Sequence, residues 1–225
     1  MARPVRLAHH SEPHLARPLP WAAANPKRIL GHRNWPLSRS RCHQPARFAR
    51  AVEALLAADP DVVLVTGDLG QTGLAEEIDA ARKELERFSV QGIPVLLVSG
   101  NHEHYGRDSA SQEAFARARE ALRMECRPDA CGIVPVGDVE IVLLDQGRPS
   151  PVFEAWGEVS ESVRRCLAER FANDSRPEAG RVAAGHYPFG LPSGRPIPRP
   201  YALRGADELR TLLQEGGVRA YFCGH

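Results

Sequence analysis

Four stretches of the chain end alike: an apolar run, a glycine, then side chains able to hold a metal. They are Leu64-Val65-Thr66-Gly67-Asp68, Leu97-Val98-Ser99-Gly100-Asn101-His102, Val182-Ala183-Ala184-Gly185-His186 and Tyr221-Phe222-Cys223-Gly224-His225. A fifth run, Leu7-Ala8-His9-His10, leads into Ser11-Glu12-Pro13-His14, which sets a carboxylate and an imidazole two residues apart. A lone Asp or His after a strand is more often a turn former or a cap than a ligand, so the repetition carries the signal. Pooled, these residues offer carboxylate, carboxamide and imidazole donors without thiolates, a set suited to Mn, Fe or Zn more than to Mg alone. One ion needs fewer donors than this. A carboxylate can bridge two ions about 3.5–4 Å apart, and such a pair can generate hydroxide at neutral pH.

Donors so far apart in the chain meet only if regular elements bring them together. Short Val-, Ile- and Leu-rich runs alternate with segments of helical period, the pattern of an α/β protein. Strands are expected at Val5 to Ala8, Val62 to Thr66, Val95 to Ser99, Val139 to Leu144, Val182 to Ala184 and Ala220 to Cys223. The stripe Phe48, Val52, Leu55 and Leu56 predicts one amphipathic helix, and Ile78, Ala81, Leu85 and Phe88 a second. A third follows Ser160, and a fourth spans Ala206 to Leu213. Ligands in α/β sheets gather beyond the carboxyl ends of strands, where glycine lets the backbone turn sharply. Two stretches break the rhythm and are expected to be long loops: residues 15–44, rich in Pro, Arg and Trp, and the proline-rich 187–201.

In order, Glu12-Pro13-His14, Gly67-Asp68, Gly100-Asn101-His102-Glu103, Gly185-His186 and Gly224-His225 resemble the D-x-H, G-D, G-N-H-[DE], G-H and G-H-x-H blocks of the calcineurin-like metallophosphoesterases. The resemblance spans essentially the whole chain, taken as one domain over residues 1–225. It implies an α/β fold, a four-layer α-β-β-α sandwich of two mixed sheets, with two divalent metal ions (Mn, Fe or Zn) at one edge. Asp68 then resembles the bridging carboxylate, Glu12 and His14 ligands of the first metal, and Asn101, His186 and His225 ligands of the second. His102 resembles the general acid near the leaving group. The implied reaction is hydrolysis of a phosphomonoester or phosphodiester by a hydroxide held between the ions. Two departures stand out. Glu12 occupies a position where the family ordinarily has Asp, and its extra methylene is expected to alter metal preference. The chain stops at His225, inside the last block, so a C-terminal truncation is expected, with the first site short of its last imidazole.

The remaining signals set bounds. With 225 residues, 43% apolar and 25% charged, the chain is a folded single-core protein by composition. Its 29 basic and 28 acidic residues leave a net charge of +1, so a preference for nucleic acid or membrane must be local. No apolar run reaches the length of a spanning helix and the first ten residues lack an apolar leader, so the expected compartment is the cytoplasm. The five scattered cysteines are expected to be reduced thiols. His9, His10, His32, His43 and His104 are expected at the surface or in support of the site, and Glu103 either orients His102 or faces solvent. The stretch 15–44, with Arg17, Lys27, Arg28, Arg33, Arg39, Arg41, Trp21 and Trp35, reads as a solvated loop or as an anion-binding cover toward phosphate esters, nucleic acid or an anionic membrane surface. Arg195 and Arg199 are candidates to grip a substrate phosphate. No nucleophile elbow, phosphate loop or dinucleotide fingerprint occurs. The alternatives to a phosphoesterase are a degenerate, non-catalytic binding module of the same fold and a nuclease using the basic stretch.

Overall fold

Every residue of strand β2 (Val62–Val65) is buried, as a continuous apolar run predicts for a central strand covered on both faces. It pairs in parallel with β1 (Leu7–His10) on one side and β3 (Val95–Leu97) on the other. The computed structural model describes residues 4–36, 40–106, 108–173 and 180–225, so Arg39 lies outside the described residues. A second sheet runs β4 (Ile133–Val136), β5 (Val139–Leu143), β7 (Arg181–Ala184), β9 (Val218–Phe222), antiparallel between the first two and parallel thereafter. Between them in sequence, β6 (Gly157–Glu158) and β8 (Leu203–Arg204) form a short parallel pair. The protein is thus α/β with a parallel and a mixed sheet.

Strand alternation sorts the core. Val63, Val65, Val95 and Leu97 face a cluster shared with α2 (Pro45–Ala57), α3 (Ala75–Val90) and α4 (Ser109–Leu122). Their neighbours Val62, Leu64 and Leu96 point the other way and pack with Ile141, Val134 and Ala184 of the second sheet. Val142 and Ala183 look out from that sheet onto α5 (Glu161–Asn173) and α6 (Ala206–Glu215). Two-residue periodicity therefore divides apolar side chains between separate clusters.

The stretch 15–44 corrects the expectation of a long loop. It holds helix α1 (Pro26–Asn34), started by Asn25, whose side chain accepts a hydrogen bond from the Arg28 N–H, with Pro26 in the first turn. Nor is it solvated throughout: Arg17, Arg33 and Arg41 are exposed, but Arg28 is 2% exposed. Its guanidinium donates to Thr72 O at 3.1 Å, Gly73 O at 2.9 Å and Ser111 Oγ at 2.9 Å, and pairs with Asp108 at 2.8 Å. Residues 187–201 are irregular up to a single 3-10 turn, Arg199–Tyr201, as their prolines require. The cysteines are not all thiols: Cys131 and Cys166 form a disulfide across 35 residues, their Cα atoms 5.4 Å apart. Packing of the segment before β4 onto α5 brings them together, and linear spacing does not reveal that contact.

Candidate metal centre

Because β1, β2 and β3 are parallel and in register, with His10 opposite Val65 and Val65 opposite Leu97, the segments that follow them emerge side by side at one edge. Ala184 and Phe222 are partners in the second sheet, so His186 and His225 emerge together as well. The turns are tight. Glu12, His14, Asp68 and His225 adopt positive φ of 59°, 45°, 57° and 64°, backbone that side-chain-bearing residues rarely take. At Gly67, φ is 89° and an added Cβ would collide with the backbone of Gly100, so two strand ends touch there only because both residues lack side chains. The two sheets are joined at the site by His186, whose Nδ1 lies 2.7 Å from Thr66 O.

Asp68 stands in the middle, buried to 2% exposure. Its Oδ2 lies 3.7 Å from His14 Nε2, 3.8 Å from His102 Nε2 and 3.6 Å from His186 Nε2. These separations are too long for hydrogen bonds, yet close to the roughly 3.4 Å edge expected between donors around an ion bound at about 2.1 Å. Two donor groups share this carboxylate: His14, Asp68 and His102 on one side, and Asp68, His186 and His225 on the other, the atoms of each within 4.8 Å of one another. Asn101 Oδ1 lies 3.1 Å from His186 Nε2, beside the second group. Burial, followed by the charges of Glu12 and Glu103, pushes the Asp68 carboxyl well above the ordinary carboxylate range. Burial likewise holds the His186 imidazole below its usual value, in the neutral form that can ligate. The carboxyl groups of Glu12 and Asp68, pooled with these imidazoles, fit a site for cations.

Glu12 reaches further than an aspartate would. One oxygen lies 2.9 Å from His14 Nε2, while the other accepts the His225 N–H at 2.8 Å and sits 3.5 Å from His186 Nδ1. The added methylene thus lets one carboxylate touch both donor groups. Burial alone would raise its pKa, but the hydrogen bond with His14 and the nearby His186 hold it well below the usual range. Glu103 faces neither solvent nor His102: its carboxylate accepts the backbone N–H groups of Asp68, Leu69 and Gly100 at 2.9, 2.7 and 2.8 Å, locking the two turns together. Burial lifts it to about 6 despite those bonds. His102 is aimed by Gln71 O, 2.5 Å from its Nδ1, so that Nε2 meets the Tyr105 hydroxyl at 3.1 Å.

A cleft of about 410 Å³ opens onto Glu12, Asp68, Asn101, His102 and His225. Arg195 and Arg199 are not among its lining residues; Arg199 borders a neighbouring depression, and Tyr201 of the same loop lines the cleft instead. Sequence reasoning did not single out Tyr105, Phe153 or Tyr201, which bear no motif; of the two places expected for His43 the structure shows support of the site, its ring packing edge-on to His14 at 4.8 Å. Proximity in the fold is the only signal for them.

A family profile described as calcineurin-like phosphoesterase matches residues 5–225, and the chain belongs to that family. Among solved structures it is similar to purple acid phosphatase PPD1 from seeds of yellow lupin (Lupinus luteus), at 15% identity and a TM-score of 0.46, over 98% of this chain and 37% of that one. It therefore spans just over a third of the lupin enzyme's length. A further crystal structure is similar at 15% identity and a TM-score of 0.46, covering 78% of this chain and 77% of the other. No curated protein matches.

Proposed function

We propose that this chain hydrolyses phosphate monoesters or diesters with two divalent cations, Mn, Fe or Zn, held at the edge where the strands end. The observation that carries the reading is Asp68, one buried carboxylate common to two donor groups. Glu12 and His14 would serve one cation, Asn101, His186 and His225 the other, with Asp68 between them. Bound there, the cations would neutralise phosphoryl charge and lower the pKa of water. His102 holds a proton at Nε2, with Nδ1 fixed by Gln71 O, and delivers it to the departing oxygen. Glu103 keeps the turns of Asp68 and Asn101 at a constant separation. The three apolar clusters, one between the sheets and one outside each, support a four-layer sandwich.

A second reading makes His102 a ligand, since it groups with His14 and Asp68. Within the basic stretch that a nuclease role would use, Lys27 and Arg28 turn their cations onto internal acceptors, while Arg17, Arg33 and Arg41 are exposed. Protein supplied with Mn²⁺ is expected to cleave p-nitrophenyl phosphate or its bis ester, and Asp68→Ala to abolish this. A wild-type protein that binds two ions yet cleaves neither ester would favour the non-catalytic binding module.

A further inference from the structure

Besides the donor groups, the cleft is lined by Leu30, Val152, Phe153, Ala155 and Tyr201, and Phe153 is 79% and Tyr201 46% exposed. The two rings line the same cleft as the donor groups, and exposed apolar side chains gathered at one site carry more information than scattered ones. Among the described residues no arginine lines the cleft, and its single ammonium is Lys27. That ammonium is already committed, lying 2.5 Å from Ser150 Oγ, 3.1 Å from Ser150 O, 3.2 Å from Pro151 O and 2.8 Å from Glu154 O. Glu154 itself adds negative charge to the wall. A ligand with several phosphates would meet no cation away from the metal site, whereas a flat neutral group would meet two rings.

Lys27 also explains how the wall keeps its shape. Its bonds tie helix α1 to the loop 150–154 on which Phe153 is mounted, and its Nζ sits 5.0 Å from the centre of the Tyr105 ring. The backbone that carries Phe153 is thereby held in advance, which lowers the ordering cost on binding.

We infer that the cleft selects phosphate esters whose organic group is a single uncharged aromatic ring, received by Phe153 and Tyr201, and not polyanionic chains; this rests on the phosphoesterase reading. Phosphonates, which cannot be hydrolysed, test it by calorimetric binding to the full chain supplied with Mn²⁺. Phenylphosphonate is expected to bind about tenfold tighter than methylphosphonate, and butylphosphonate to show at most about a third of that gain. The variant carrying Phe153→Ala and Tyr201→Ala, and separately Phe153→Leu, which keeps the bulk, should lose most of the phenyl gain while methylphosphonate binds as in the wild type. Equal affinity for phenyl and methyl, a gain that survives in both variants, or a butyl gain equal to the phenyl one would overturn the inference and leave the phosphoesterase reading standing. Failure of methylphosphonate itself to bind would remove that reading, and this one with it.

Discussion

The imidazole of His102 faces two ways, with Nε2 at 3.1 Å from the Tyr105 hydroxyl and 3.8 Å from Asp68 Oδ2. Its two roles separate experimentally. As the proton donor, His102→Ala is expected to lower kcat by about 10²–10⁴-fold with metal content per chain unchanged; as a ligand it would lower the metal content too. Metal analysis and kinetics on the same preparation decide between them, and the donor role predicts the first result. A second residue-scale expectation concerns Asp145, which receives the Ser99 N–H at 3.1 Å and pairs with Arg119 at 2.8 Å, fixing the end of β3 just before Gly100. Partial desolvation works against the ionisation of this half-exposed side chain, but the Arg119 charge and the Ser99 hydrogen bonds outweigh it and hold the carboxyl below its usual range. A depressed carboxylate contributes stability above its unfolded pKa, near 4, and loses it as pH falls through the lower folded value. Asp145→Asn should therefore cost about 1 kcal/mol at pH 7 after allowing for solvent screening. The gap between the two proteins in urea unfolding should close as the pH is lowered through 3.

Among the elements, helix α1 and the loop 70–74 form the support beneath His102. Glu77 accepts the backbone N–H groups of Thr72, Leu74 and Arg17 at 2.8, 3.1 and 3.1 Å, and Arg28 covers the carbonyls of Thr72 and Gly73. Gln71, whose carbonyl aims His102, lies within this loop. Arg28→Met is expected to cost about 3–5 kcal/mol, because it strands several buried acceptors, and denaturant unfolding of the variant would measure it. A cost below about 1 kcal/mol would contradict this account of α1. The helix shows why elements differ in legibility. Strands β1, β2, β3, β5, β7 and β9 stand out as apolar runs, and α2, α3, α5 and α6 as stripes. In contrast, α1 is held by a buried arginine whose partners lie 44, 45 and 83 residues away, beyond any local pattern. Helix α4 buries Ala114, Ala118 and Leu122, a stripe too small-sided to announce itself. In β4, Pro135 argues against a strand until its place at the sheet edge is known.

Across the whole molecule, the donor set was readable because each donor follows an apolar run within a few residues, and parallel register converts that into proximity. What was not readable depends on irregular segments meeting: the Phe153 and Tyr201 wall, the Lys27 tie to residues 150–154, and the Cys131–Cys166 disulfide. Glu12 falls between these cases. Its departure from the family pattern was visible, but the contacts of its carboxylate with both His14 and the His225 N–H emerge only from the fold. The central claim is that two cations share Asp68, and metal counting on purified full chain equilibrated with Mn²⁺ and freed of excess tests it most directly. Two ions per chain in the wild type, falling to fewer than one in Asp68→Ala with the fold retained by circular dichroism, is the predicted result. A wild type holding at most one ion, or an Asp68→Ala variant still holding two, would contradict it.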